Sequence, residues 1–167
     1  MRRTVALALA TLVLSGAACS QATTFGPLRL TVPEGWQVTR RGSEDLQIAR
    51  GTAAADTDSA PGTATAVFDL YLDSDHTVDS YREMLTEQDI GVKTEEWTVN
   101  GEQAVVMSYE GRATAGPQEA VLFPDHRVLI VYRAAFPNDR SAFHSGRPAF
   151  RRTVRSITFT GSVDRGA

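Results

Sequence analysis

Val92-Lys-Thr-Glu-Glu-Trp-Thr-Val-Asn-Gly-Glu-Gln-Ala-Val-Val-Met-Ser-Tyr-Glu-Gly-Arg112 decides the fold. Two strand-like runs, Val92 to Val99 and Glu102 to Arg112, flank Asn100-Gly101. Both turn residues tolerate positive φ, as a two-residue hairpin turn requires. The stretch therefore predicts an antiparallel hairpin. A second follows: Gln118 to Phe123 and Arg127 to Ala134 flank Pro124-Asp125-His126. Leu129-Ile-Val-Tyr132 is apolar at every position, so it reads as a central strand covered on both faces.

Upstream, Leu28 to Val32, Trp36 to Arg40 and Asp45 to Arg50 alternate apolar and polar residues, which suits strands with one buried face. Pro33-Glu34-Gly35 is a turn signal between the first two. Thr65 to Leu72 reads as a further strand. Residues 51–64 carry no large apolar side chain and are expected to form a surface loop. The period then changes. Val78, Tyr81, Met84, Leu85 and Gln88 make a helical stripe, with Thr77 or Asp75 as N-cap and Gly91 closing it. Asn138, Asp139 or Ser141 caps a second helix, with Phe143, Pro148, Phe150 and Val154 on its apolar side. Gly146 and Pro148 predict a kink or a break there, the longer half starting near Pro148. Ile157 to Phe159 returns as a short strand. Strands joined by hairpins imply an antiparallel sheet, and two helices must cover it: an α+β fold, with the sheet flanked by helices as an α/β/α sandwich.

The chain has 167 residues, 42% of them hydrophobic and 22% charged, with a net charge of −3. One domain with one core fits that length. The mild acidity, without a Lys/Arg block, excludes nucleic acid as a partner. Arg2 and Arg3, then the apolar run Val5 to Leu14, then Ser15-Gly-Ala-Ala18, have the layout of an export signal too short to span a bilayer. Residues 1–18 are read as a signal peptide, 19–24 as a modified cysteine and polar tether, 25–160 as one domain and 161–167 as a flexible tail. Cys19 is the only cysteine, so no disulfide forms within the chain. Gly16-Ala-Ala-Cys19 resembles the bacterial lipobox, with Gly16 where Leu is usual. That resemblance implies that Cys19 is acylated and anchors the domain to the extracytoplasmic face of the cell membrane. The alternative is ordinary cleavage after Ser20-Gln-Ala22, which discards Cys19.

Leu30-Thr-Val-Pro-Glu-Gly-Trp36, Val128-Leu-Ile-Val-Tyr132 and Phe150-Arg-Arg-Thr-Val-Arg-Ser-Ile-Thr-Phe159 together resemble the Mog1/PsbP-type superfamily. The similarity is greatest to its small bacterial envelope lipoproteins, such as the mycobacterial LpqN/LpqT-type group. It implies an antiparallel sheet flanked by helices and a binding or accessory role. It carries no catalytic motif and no cofactor. The mycobacterial relatives imply a link to envelope lipid transport.

Four sets of side chains are candidates for chemistry. Arg147, Arg151 and Arg155 share one helical face, with Arg152 beside them; they suit anionic headgroups or an acidic partner, or else form a solvated outer face. Trp36 and Trp97, with Tyr71, Tyr109 and Tyr132, either line a ligand groove or fill the core. Asp69, Asp73 and Asp75 have same-face strand spacing beside His76, which suits a hard cation; the plainer reading is an acidic strand end that discourages edge pairing. His76, His126 and His144 lack zinc-ligand spacing and are read as solvated. There is no Gly-x-Ser-x-Gly elbow, Walker loop or Gly-x-Gly-x-x-Gly. The expected function is a non-catalytic, membrane-anchored module binding an envelope protein through the last helix and loop 51–64. A carrier of a lipid or small apolar ligand is the alternative, with Trp36, Trp97 and Tyr132 as its lining. A hydrolase is the third.

Overall fold

Asn100 and Gly101 take the left-handed backbone their turn needs, at φ +51° and +92°. Around them the chain folds as its pairing rules dictate. The computed structural model describes residues 20–51, 64–86, 91–110, 116–137 and 139–160. In chain order these form β1 (Gln21–Phe25), β2 (Leu28–Val32), β3 (Trp36–Arg41), β4 (Asp45–Arg50), β5 (Ala66–Tyr71), α1 (Val78–Thr86), β6 (Val92–Val99), β7 (Glu102–Tyr109), β8 (Gln118–Phe123), β9 (Val128–Ala134), α2 (Arg140–Arg155) and β10 (Thr158–Phe159). The signal segment 1–18, Cys19, most of the expected loop 51–64 and the tail 161–167 lie outside the described residues. So does the C-terminal end of the first helical stripe, at residues 87–90. No helix among the described residues is long and apolar enough to cross a membrane.

Seven strands form one antiparallel sheet in the order β3-β4-β5-β9-β8-β7-β6. The apolar run Leu129–Tyr132 is in its central strand, as its composition requires. Alternation along β9 feeds two cores. Val128, Ile130, Tyr132 and Ala134 join the cluster under α2; Leu129 and Val131 join the one under α1. One helix on each face makes the expected α/β/α sandwich.

Thr77 caps α1: its hydroxyl accepts from the Ser80 amide at 3.0 Å, and Ser80 Oγ accepts from the Thr77 amide at 2.9 Å. This reciprocal pair satisfies two of the free amides at the helix start. Asp139 caps α2, accepting from the Ala142 amide at 2.8 Å. The expected break at Gly146 and Pro148 does not occur; α2 is one helix of sixteen residues. Pro148 faces solvent, and its ring costs a helix roughly 3 kcal/mol. Phe143, Phe150 and Val154 are buried on the opposite side, at roughly 1.5–3 kcal/mol each, and hold both halves on the sheet. Gly146 is where the helix comes closest: an added Cβ would collide with the Tyr132 hydroxyl and press on the Trp36 ring.

A second, three-stranded sheet has the order β1-β2-β10. Residues 20–24, read from sequence as a tether, instead supply most of β1. Gln21–Phe25 pairs with β2 over five residues, and Phe25 is buried. Polar Thr23 and Thr24 suit a strand open to water on one side, so polarity alone was no sign of a tether. The C-terminal strand joins β2 here, and not the large sheet.

Candidate functional site

Two of the α2 arginines, Arg147 and Arg151, do not belong to a solvated outer face, while Arg152 and Arg155 are exposed. Arg147 and Arg151 fold down onto Glu119 of β8, whose side chain is completely buried. Arg151 is bidentate, Nε to Oε1 at 2.7 Å and Nη2 to Oε2 at 2.9 Å. Arg147 Nε donates to the same Oε2. Those hydrogen bonds raise the Arg151 pKa above its ordinary value, against the opposing effect of burial. Trp97 of β6 lies beneath Arg151 and Arg155, with guanidinium carbons 5.1 and 5.0 Å from its ring centre. Arg152 points away from this cluster, into a cleft with Ser20, Glu34 and Ser156. The expected four-arginine surface is thus divided. The cause is Glu119: a buried carboxylate needs cationic donors, and the stripe at 147 and 151 supplies them.

The aromatic trio divides in the same way. Tyr132 and Trp36 are core residues, so neither lines a ligand groove. Trp36 packs on Phe68 with ring centres 4.9 Å apart, and Tyr132 stacks on Phe143 and Phe150 at 5.0 and 4.9 Å. The Tyr132 hydroxyl donates to the Phe143 carbonyl at 2.6 Å. Trp97 is half-buried, roofed by arginines. His126 is not solvated: its side chain is 8% exposed, stacked on Phe159 at 3.5 Å, with Nε2 2.9 Å from Glu102 Oε2. His144 is exposed against Phe143, and His76 lies edge-on to Tyr81. Among the described residues no three His, Cys, Asp or Glu side chains come together to hold a metal ion.

Asp69 is parted from Asp73 and Asp75. It belongs to β5, between β4 and β9, so it guards no sheet edge. It is 3% exposed and anchors a polar ladder on the α1 face. Thr39 Oγ1 donates to Gln47 Oε1 at 2.9 Å, Gln47 Nε2 to Asp69 Oδ1 at 2.7 Å, and Arg133 Nη2 to Asp69 Oδ2 at 3.3 Å. Four neighbouring strands, β3, β4, β5 and β9, are tied by that ladder. Asp73 and Asp75 are exposed and belong to a loop held by Arg127, whose Nη2 is 2.7 Å from Asp75 Oδ1.

Next to the ladder is a cleft of about 690 Å³. Tyr71, Leu72 and Leu129 form its apolar part; Arg40, Glu44, Asp45, Asp75 and His76 are its polar part. Arg40 and Asp45 pair across it at 2.7 Å. Tyr71 joins ladder to cleft. Its pKa is raised by burial and then by Asp69, against the lowering fields of Arg40 and Arg133. Behind it Tyr81 of α1 is pushed up to about 12, by burial and then by Tyr71. Sequence reading singled out Asp75, His76 and Tyr71 without joining them into this cleft. The ladder beside it had one local signal, Asp69, a charge at the middle of Ala66-Val-Phe-Asp-Leu-Tyr71, where every neighbour suits an interior strand.

Two solved structures resemble this architecture. The cyanobacterial PsbP of Synechocystis sp. PCC 6803 superposes with a TM-score of 0.50 at 17% identity, covering 90% of this chain and 98% of that one. A mutant of the protein Mog1 superposes with a TM-score of 0.50 at 14% identity, covering 86% and 97%. The fold is therefore Mog1/PsbP-like. No family model matches the chain, and no curated protein matches it.

Proposed function

We propose that this protein is a non-catalytic accessory module of the bacterial cell envelope, which binds a protein partner through the cleft between Tyr71, the β3–β4 turn and the segment 72–76. In this reading the chain is exported and held at the extracytoplasmic face of the membrane by acylated Cys19. The cleft carries the reading. It joins an aromatic and aliphatic floor to a rim of mixed charge, the combination that anchors protein side chains and then orients them. Arg40 pairs with Asp45 and Arg127 with Asp75, so Glu44 leaves the rim acidic by one charge, which favours a partner segment bearing Lys or Arg. This moves the proposed contact surface from the last helix, where Arg147 and Arg151 commit part of their donors to Glu119. The alternative, a carrier, needs room between sheet and helix. Trp36, Phe68, Tyr132, Phe143 and Phe150 fill that space under α2.

A photocrosslinking residue at Asp75, in the native host, tests the partner. Capture of one discrete envelope protein from Asp75, and not from exposed Gln103, is the expected result. Equal capture from both positions, or none from Asp75, overturns it. Cys19→Ser tests the anchor separately: the protein should leave the membrane fraction and lose metabolic labelling by palmitate.

A further inference from the structure

We propose that a second, smaller cleft, between α2 and strands β6 and β7, binds an oxyanion of the phosphate class. It lies on the opposite face of the sheet from the partner cleft and does not depend on it.

The pairing register builds the site. Lys93 of β6 pairs with Ser108 of β7, and Ser108 with Glu119 of β8. These three form one row on the face that α2 covers. Arg147 and Arg151 reach down to the Glu119 end of the row. The space left beside Lys93, Ser108 and the two arginines is a cleft of about 250 Å³. That volume holds a tetrahedral oxyanion and the first atoms attached to it, and not an acyl chain.

Charge decides what the space prefers. Two guanidinium groups share one buried carboxylate, and Lys93 pairs with no carboxylate among the described residues. Lys93, Arg147 and Arg151 meet three carboxylates, buried Glu119 and the lining residues Glu95 and Glu110, so the excess of positive charge comes from two further arginines, Arg140 and Arg155. Glu110 accepts from Arg140 at 3.2 Å, and Glu95 accepts from the Trp97 indole at 3.2 Å. Arg155, on the far side of Trp97, adds to the positive field. Each arginine has five N–H groups, of which Glu119 takes only some. The remaining donors, the Lys93 ammonium and the Ser108 hydroxyl line the cleft from α2, β6 and β7. Donors from three elements suit a tetrahedral group, where a planar carboxylate would engage one guanidinium edge.

Two sources carry this chemistry: free phosphate and a phospholipid headgroup. Inorganic phosphate is titrated into the ¹⁵N-labelled protein at constant ionic strength, with chloride as the control. Saturable shifts of the Lys93 and Ser108 amides and of the Arg151 Nε resonance are expected. Lys93→Gln should weaken binding roughly tenfold or more, as loss of a charged donor does. Lys93 is exposed, so this variant keeps its fold. Co-sedimentation with phosphatidylglycerol vesicles is then compared between the wild type and Lys93→Gln. Sedimentation that Lys93→Gln abolishes assigns the site to a headgroup; free-phosphate binding without sedimentation assigns it to a soluble phosphate. Absence of a saturable response to both probes, or equal responses in Lys93→Gln and wild type, overturns the proposal.

Discussion

Under α2 the large sheet meets a helix of sixteen residues; under α1 it meets one of nine. The long helix buries a wall of aromatics, Trp36, Phe68, Tyr132, Phe143 and Phe150, and uses two arginines to neutralise Glu119 at the margin. The short one packs Tyr81 and Leu85 over Met107, Ala120 and Leu122. Towards β3, on the α1 face, side chains of β3, β4, β5 and β9 satisfy one another instead, through Thr39, Gln47, Asp69 and Arg133. Where a helix brings enough apolar surface, the sheet can be greasy. Where it does not, polar groups must find partners along the strands, and the margin of that arrangement becomes a cleft.

The contrast can be broken most forcefully from its apolar side. Phe150→Ala should cost about 4 kcal/mol in urea unfolding, and Leu85→Ala under α1 about 2–3 kcal/mol. Equal losses would show that the two faces contribute alike. Next come the two buried acids. Glu119→Ala strands two partly buried arginines and should cost roughly 3 kcal/mol. Asp69→Ala should cost roughly half that, because Arg133 is 45% exposed and water can take over its donors. A larger effect at Asp69 would reverse this ranking.

Alkaline titration sharpens the comparison further. Unfolded tyrosine loses its proton near pH 10, whereas folded Tyr81 holds its own to about 12. Its contribution is complete below pH 10 and is lost as pH rises from 10 through about 12. Burial raises Tyr109 and Tyr132 in the same direction. Tyr81→Phe should flatten part of the decline in stability above pH 10; an unchanged slope would exclude Tyr81 as its origin and leave Tyr109, in the same cluster, or Tyr132. The smallest expected effect is at the rim. Arg155→Ala removes an exposed cation over Trp97 and should cost about 0.5–1 kcal/mol in thermal unfolding.

Local chemistry was readable from the sequence. Asn100-Gly101 gave its hairpin, Leu129–Tyr132 its central place, and Asp139 its cap. Each depends on neighbours along the chain. What could not be read depends on residues far apart in it. Glu119 meets Arg147 and Arg151 only after β8 and α2 are packed, so helical spacing placed the arginines on one face without saying which way it turned. Pro148 looked like a break because the burial of Phe143 and Phe150 that overrides it is a tertiary effect. Gln47 and Asp69 gave no joint signal, since their contact follows from strand order. Of the site now proposed for a partner, the sequence grouped Asp75 and His76 with neighbouring Asp69 as a candidate cation site and set Tyr71 among the aromatics, while Arg40, Glu44, Asp45 and Leu129 gave no signal of it.

The three-stranded sheet sets the timing of folding. β2 is held on one side by β1 and on the other by β10, and Thr160 closes the join by donating to the Pro27 carbonyl at 2.7 Å. The latest-made strand thus completes a sheet begun by the earliest. While the chain is being synthesised, β2 keeps one edge without its partner, and the small sheet can close only after the whole seven-stranded sheet has emerged. The first strands of the chain therefore cannot complete their sheet before its last strand has been made.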